Sequence, residues 1–224
     1  MKSIFLIDPN DNKTDELIEE INRHEISSKN LWLWCSTTPW NEFKDVIDKL
    51  EKDFLLFPWR IDQILENYEE ASSIIIPQPF PVTYISKQLE EEVNKIQNNN
   101  EAISNKVIDM IYILTSTNCS ASRVLGLDKI PTNEEIYEYI KSSYGIEDVY
   151  IEWWSRNNEV DFNKMLLFLE EIKYSFPNKN IIYGWGIDDL DLAKEIASVS
   201  DNIVFSHLIH KNPKMIEEII NTIN

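Results

Sequence analysis

The sequence predicts an α/β fold, a (β/α)8 barrel formed by one domain over residues 1–224. Eight short apolar segments recur along the chain, and stretches with helical spacing separate them. Most of the apolar segments are continuous rather than alternating, which is typical of parallel strands buried on both faces. Eight strand–helix units in a chain of this length match a barrel. A doubly wound open sheet is the alternative, and the number of units and the length favour the barrel.

The strands are predicted where Ile, Leu, Val, Phe, Trp and Tyr cluster. They cover Ser3–Ile7, Asn30–Trp34, Phe54–Phe57, Ser73–Ile76, Val107–Leu114, Val149–Trp153, Asn180–Tyr183 and Asn202–Phe205.

The helices are predicted from apolar residues at a spacing of three and four. They cover Thr14–Ile21, Trp40–Lys52, Ile61–Ala71, Tyr84–Gln97, Phe162–Phe176, Leu190–Val199 and Pro213–Ile223, and a further helix follows Thr132. Thr132 and Glu135 have the spacing of a capping box, which satisfies two backbone N–H groups at a helix start. The longest connection is predicted over Pro77–Lys106, with a loose turn at Asn98-Asn99-Asn100 after the helix Tyr84–Gln97.

Composition limits the possible partners. The formal net charge is −18, so the surface repels nucleic acid and anionic lipid headgroups. It also repels diphosphates, so a phosphorylated substrate requires a local cation, and we expect Mg²⁺. Cys35 and Cys119 lack metal-ligand spacing, which favours a reducing compartment. No apolar segment is long enough to span a bilayer, and we expect a cytoplasmic protein.

In a barrel, chemistry lies at the C-terminal ends of the strands, where several polar residues stand in this sequence. Asp8 follows the first strand, and Thr37 follows the second. Tyr150 and Glu152 belong to the sixth strand. Ser155 and Arg156 follow the sixth strand, and Ser206 and His207 follow the eighth. Each has a structural alternative: Asp8 as a turn or cap, Glu152 as an ion-pair partner of Arg156, and His207 as a packing residue.

The seventh strand ends in Gly184-Trp185-Gly186 and leads into a helix. Glycine-rich turns before a helix gather backbone N–H groups that hold phosphate. An indole at the centre of such a turn competes with an anion for space.

The strand ends resemble those of the geranylgeranylglyceryl phosphate synthases and their bacterial relatives, the PcrB-type heptaprenylglyceryl phosphate synthases. The resemblance is collinear over nearly the whole chain, although each motif is short. It rests on Leu6-Ile7-Asp8-Pro9, Ser36-Thr37, Phe57-Pro58, Tyr150-Ile151-Glu152 and Tyr183-Gly184-Trp185-Gly186-Ile187.

The resemblance implies transfer of a prenyl group from a prenyl diphosphate to a hydroxyl of glycerol 1-phosphate, with Mg²⁺. It implies that Asp8 and Thr37 are near the metal, that Glu152 accepts the proton of the acceptor hydroxyl, and that Tyr150 assists. Gly184 and Gly186 match positions that hold the acceptor phosphate, and Ser155, Arg156, Ser206 and His207 stand where the family has further phosphate-binding turns.

The chain departs from the family where glycines are replaced by large residues. Five tryptophans fall at strand ends, where indole faces can stabilise an allylic cation. They are Trp34, Trp59, Trp153, Trp154 and Trp185.

Three functions follow from these features. The first is prenyl transfer to a small acceptor that need not be glycerol 1-phosphate. The second is a terpene synthase that ionises a prenyl diphosphate without an acceptor. The third is a non-catalytic barrel that binds a ligand or a partner. The sequence leaves open the prenyl chain length and whether the protein is a homodimer.

Overall fold

The computed structural model describes residues 2–35, 40–58, 61–117, 119–153 and 161–224. Each strand pairs in parallel with the next, and the eighth closes on the first. The predicted (β/α)8 barrel is therefore confirmed. The strands are β1 (Ser3–Ile7), β2 (Leu31–Cys35), β3 (Leu55–Pro58), β4 (Ser73–Phe80), β5 (Val107–Leu114), β6 (Asp148–Glu152), β7 (Asn180–Gly184) and β8 (Asn202–Phe205).

The helices follow the strands along the chain. They are α1 (Thr14–Arg23), α2 (Trp40–Lys49), α3 (Ile61–Asn67), α4 (Tyr84–Asn99), α5 (Glu101–Ser104), α6 (Ser120–Val124), α7 (Asn133–Ser142), α8 (Phe162–Ser175), α9 (Leu190–Val199), α10 (His207–Lys211) and α11 (Met215–Ile223), and a 3-10 turn covers Ser28–Asn30. Within the described ranges, no helix is both long enough and apolar enough to cross a membrane.

Each strand contributes to two cores because successive side chains point to opposite faces. Ile7 and Ile151 belong to the outer core, which the helices cover. Leu6 and Tyr150 belong to the core inside the barrel. Burial on both faces explains why the sequence shows continuous apolar segments instead of alternation.

The fourth strand is longer than the sequence indicated, and the prediction that a connection begins at Pro77 is wrong. The strand continues through Pro77 and Pro79 to Phe80 and pairs with β5 over this length. The N–H of Ile74 donates to Lys106 on the β5 side, so the nitrogens of Pro77 and Pro79 face β3. Pairing with β3 stops at Ile74, so neither proline removes a ladder hydrogen bond.

Helix boundaries differ from the predictions by a few residues, as fraying ends usually do. Helix α2 ends at Lys49 and α3 at Asn67, and α11 begins at Met215. Helix α4 extends to Asn99, and the predicted loose turn is instead a cap, because the Asn100 side chain accepts from the Ile103 N–H. The capping box of Thr132 and Glu135 is present.

Candidate active site

Glu152 is a buried carboxylic acid at the C-terminal end of β6. Only 1% of its surface is exposed. The Tyr112 hydroxyl donates a hydrogen bond to Oε2 of Glu152. The Cys119 thiol also forms a hydrogen bond with the Glu152 carboxyl group. Strand β5 thus supplies the partner of the β6 carboxyl group.

Strand register explains why these side chains meet. Tyr112 of β5 lies beside Tyr150 of β6, and the two rings stack with centroids 4.9 Å apart and planes 5° apart. Gly184 of β7 makes room for the Tyr150 ring, since a Cβ there would overlap the Tyr150 hydroxyl. This close approach accounts for the glycine at position 184.

The local environment sets the protonation of this group. Burial raises the pKa of Glu152 above its ordinary value, and the hydrogen bonds from Tyr112 and Cys119 oppose that shift. Burial and the Glu152 charge raise the pKa of Tyr112 well above its ordinary value and that of the Cys119 thiol to about 12. Both partners therefore remain protonated donors. A desolvated carboxylate beside such donors suits a general base working near neutral pH.

A short segment after β5 packs against this end of the barrel interior. Cys119, Ala121, Leu125 and Leu127 are buried members of the inner core. Helix α6 and its flanks thus pack onto the same core as Tyr112 and Tyr150. Exclusion of water there strengthens electrostatic interactions with the Glu152 carboxylate.

Asp8 lies at the end of β1 in a defined backbone arrangement. The Thr14 hydroxyl donates to the Asp8 carbonyl at 2.9 Å, and the Asn10 N–H donates to Asp8 Oδ1 at 3.0 Å. The Asp8 N–H donates to Nε2 of the buried His210 at 3.1 Å. Burial raises the pKa of Asp8, and the Asn10 hydrogen bond opposes it.

The donor set around Asp8 fits one kind of metal site. Among the residues that the structure describes, no group of three or more His, Cys, Asp or Glu side chains gathers to hold a metal. Mg²⁺ is commonly bound by one or two carboxylates together with substrate phosphates, and a single partly desolvated carboxylate fits that mode. Thr37, the second predicted ligand, lies outside the described residues.

Trp185 has an unusual backbone conformation. Its φ is +80°, and Gly186 follows with φ +72°. A left-handed φ costs a residue with a side chain about 1–2 kcal/mol. The Trp185 indole packs on the inner core, with its centroid 6.1 Å from that of Trp34. Trp34 in turn lies 5.3 Å from Phe57.

The remaining predicted site residues separate into groups. Trp153 packs against Phe168 of α8, with ring centroids 5.4 Å apart, in the outer core. It therefore lies on the other face of the sheet from Trp34 and Trp185. His207 is exposed, with Nε2 3.7 Å from Asp188 Oδ1, and Ser206 precedes it as the residue before α10. Trp59, Trp154, Ser155 and Arg156 lie outside the described residues.

Sequence reasoning missed three residues of this region: Tyr112, Cys119 and His210. Tyr112 was detectable in principle, because it occupies an inward position in β5 next to the inward Tyr150. Cys119, which caps the start of α6, reaches Glu152, and His210 of α10 reaches Asp8. No local sequence pattern links such distant positions.

Comparisons with known proteins place this geometry in context. The sequence model of a family described as the PcrB family matches residues 1–223. No curated protein matches the chain.

Solved structures give the same fold at low identity. The geranylgeranylglyceryl phosphate synthase of Thermoplasma volcanium is 18% identical with a TM-score of 0.74, over 99% of this chain and 91% of that one. The (S)-3-O-geranylgeranylglyceryl phosphate synthase of Thermoplasma acidophilum, solved in complex with substrate sn-glycerol-1-phosphate, is 17% identical with a TM-score of 0.71 and the same coverage. The tryptophan synthase α subunit of Campylobacter jejuni is 11% identical with a TM-score of 0.54, over 99% of this chain and 93% of that one.

Proposed function

Because the chain belongs to the PcrB family, we propose that it transfers a prenyl group from a prenyl diphosphate to a hydroxyl of a small acceptor, with Mg²⁺. The observation that carries this proposal is the buried Glu152 at a C-terminal strand end, where it accepts a hydrogen bond from Tyr112. Ether formation from an alcohol needs a group that accepts the hydroxyl proton, and Glu152 is placed for this role at the C-terminal end of the barrel.

In the proposed reaction, the acceptor oxygen attacks the allylic carbon of the prenyl chain. The bond between that carbon and the diphosphate oxygen breaks, and the diphosphate leaves with the electron pair. The acceptor's hydroxyl proton passes to Glu152. Tyr112 holds the carboxylate in position and stabilises its ionised form, since its phenol stays protonated.

Asp8 is the residue that would hold Mg²⁺. When bound, Mg²⁺ offsets the negative charge of the departing diphosphate. Thr14 and His210 hold the Asp8 backbone in place. A Mg²⁺ ion bound at Asp8 would also reduce the repulsion between a diphosphate and a chain with net charge −18.

We propose further that the acceptor differs from glycerol 1-phosphate. Trp185 replaces a glycine of the family's strand 7 turn, and its indole packs on Trp34. A phosphate approaching the backbone of this turn meets that indole. An acceptor with an uncharged, flatter end suits an aromatic surface better.

A direct assay tests the function. The purified chain is incubated with labelled prenyl diphosphates of several lengths, Mg²⁺ and a panel of hydroxyl acceptors. We expect prenylated acceptor and diphosphate, and we expect loss of product with a chelator or with Asp8→Asn. Asp48→Asn, at an exposed position of α2, serves as a matched control that retains activity. No consumption at any chain length, or hydrocarbon products without an acceptor, would contradict the proposal.

Tyr112→Phe tests the role of the hydroxyl partner. Loss of the donor leaves the Glu152 carboxylate less stabilised, so its pKa rises further. We expect the rate to fall about tenfold at neutral pH and the rising limb of the pH–rate profile to move to higher pH. Tyr137→Phe, which removes an exposed hydroxyl near Glu171, should leave the profile in place. An unchanged profile for Tyr112→Phe would exclude this role.

A further inference from the structure

A cavity opens at the N-terminal end of the barrel, opposite the end that carries Glu152. Its volume is about 540 Å³, which lies within the range of small-molecule sites. The first inward residues of several strands line it. The proposed prenyl transfer uses none of them.

The floor of this N-terminal cavity is apolar. Trp32, Met110 and Ile182 from the inner core form part of it. The Trp32 Nε1–H donates to the Lys29 carbonyl at 3.3 Å, which fixes the indole plane. The floor offers apolar side chains to the body of a ligand.

The wall on one side is a fixed chain of hydrogen bonds. Asn202 Nδ2 donates to Asn180 Oδ1 at 2.8 Å, and Asn180 Nδ2 donates to Asp148 Oδ1 at 2.6 Å. The chain runs across β8, β7 and β6, and all three side chains line the cavity. The Asp148 carboxylate is thus held in place, with acceptor capacity remaining.

Opposite charges lie on opposite sides of the cavity. Asp148 starts β6, and Lys29 lies in the 3-10 turn Ser28–Asn30 that leads into β2. Strands β2 and β6 are four positions apart in a closed ring of eight, so they face each other across the mouth. Both residues line the cavity. Opposed charges above an apolar floor match a ligand that carries a cation at one end and an anion at the other.

We propose that this cavity binds a zwitterionic small molecule whose charged ends are separated by an apolar body, as in an apolar dipeptide. The ammonium group binds Asp148, the carboxylate binds Lys29, and the apolar body lies on Trp32. Mutual repulsion from a chain of net charge −18 disfavours purely anionic ligands, and Lys29 disfavours purely cationic ones.

Titration calorimetry with the dipeptide Leu-Leu tests this site on the full chain. We expect a dissociation constant below about 1 mM, at least tenfold weaker binding to Asp148→Asn and to Lys29→Met, and no binding of N-acetyl-Leu-Leu amide. Asp109→Asn, an exposed acid of β5, and Lys44→Met, an exposed lysine of α2, are controls that keep full affinity.

Thermal melting confirms that each variant is folded. If Asp148→Asn unfolds, the affinity of Lys29→Met for Leu-Leu tests the proposal, because Lys29 is at an exposed position. The side-chain amide signals of Asn180 and Asn202 should shift on titration. The proposal is overturned if Leu-Leu fails to bind, if the blocked dipeptide binds equally well, or if neither variant weakens binding.

Discussion

Glu152→Gln should lower the rate of prenyl transfer by about 10²–10⁴-fold. The amide has the shape of the carboxylate and still accepts a hydrogen bond from Tyr112, but it cannot take the acceptor's proton. The rate is measured at saturating prenyl diphosphate, with Mg²⁺ and the best acceptor of the panel. The fall should appear in kcat rather than in binding of the diphosphate.

Glu147→Gln is the matched control, since Glu147 is exposed and lies just before the other end of β6. Its rate should equal that of the unaltered chain. A rate for Glu152→Gln within about threefold of the control would contradict a proton-transfer role, because such a role contributes at least about 10².

The same substitution should stabilise the fold at neutral pH. The pKa of Glu152 is raised in the folded state above its ordinary value of 4.5, so the folded chain binds the proton more tightly than the unfolded chain. Stability therefore falls as the pH rises from the ordinary pKa through the folded pKa. Glutamine removes this loss, and we expect added stability at pH 7, which thermal melting would show as a higher Tm.

Trp185→Gly should increase affinity for glycerol 1-phosphate by at least about tenfold, or 1.4 kcal/mol. Glycine exposes the backbone N–H groups of the turn and removes the indole that packs on Trp34. Titration calorimetry on the whole chain measures the change. Equal affinity in the variant and the unaltered chain would contradict the view that Trp185 occupies the phosphate position.

Two further variants separate the indole from the backbone. Trp185→Ala also removes the indole but keeps a Cβ at φ +80°, so Trp185→Gly should be the more stable of the two by about 1 kcal/mol. Trp153→Ala removes an indole from the outer core beside Phe168 and should leave glycerol 1-phosphate affinity unchanged. Equal stability of the two Trp185 variants would show that the left-handed turn costs little.

Much of the fold was predictable because it depends on local patterns. Continuous apolar segments such as Ser3–Ile7 must be buried on both faces, and helical spacing between them predicts the covering layer. The end of strand β4 was predicted too early because proline usually interrupts a strand. Its tolerance at Pro77 and Pro79 depends on which neighbour each nitrogen faces, which is a property of the assembled sheet.

The candidate site also has a part that the sequence predicts and a part that depends on the tertiary structure. The sequence by itself determined that Asp8, Glu152 and Gly184 stand at strand ends, since the continuous apolar segments give the strand positions. Only the tertiary structure decided that Tyr112 donates a hydrogen bond to Glu152 and that the segment around α6 packs on the inner core. It also decided that Trp185 contacts Trp34 in the inner core, whereas Trp153 packs in the outer core. Those contacts join residues far apart in the chain, and closure of the barrel, rather than any local preference, sets their distances.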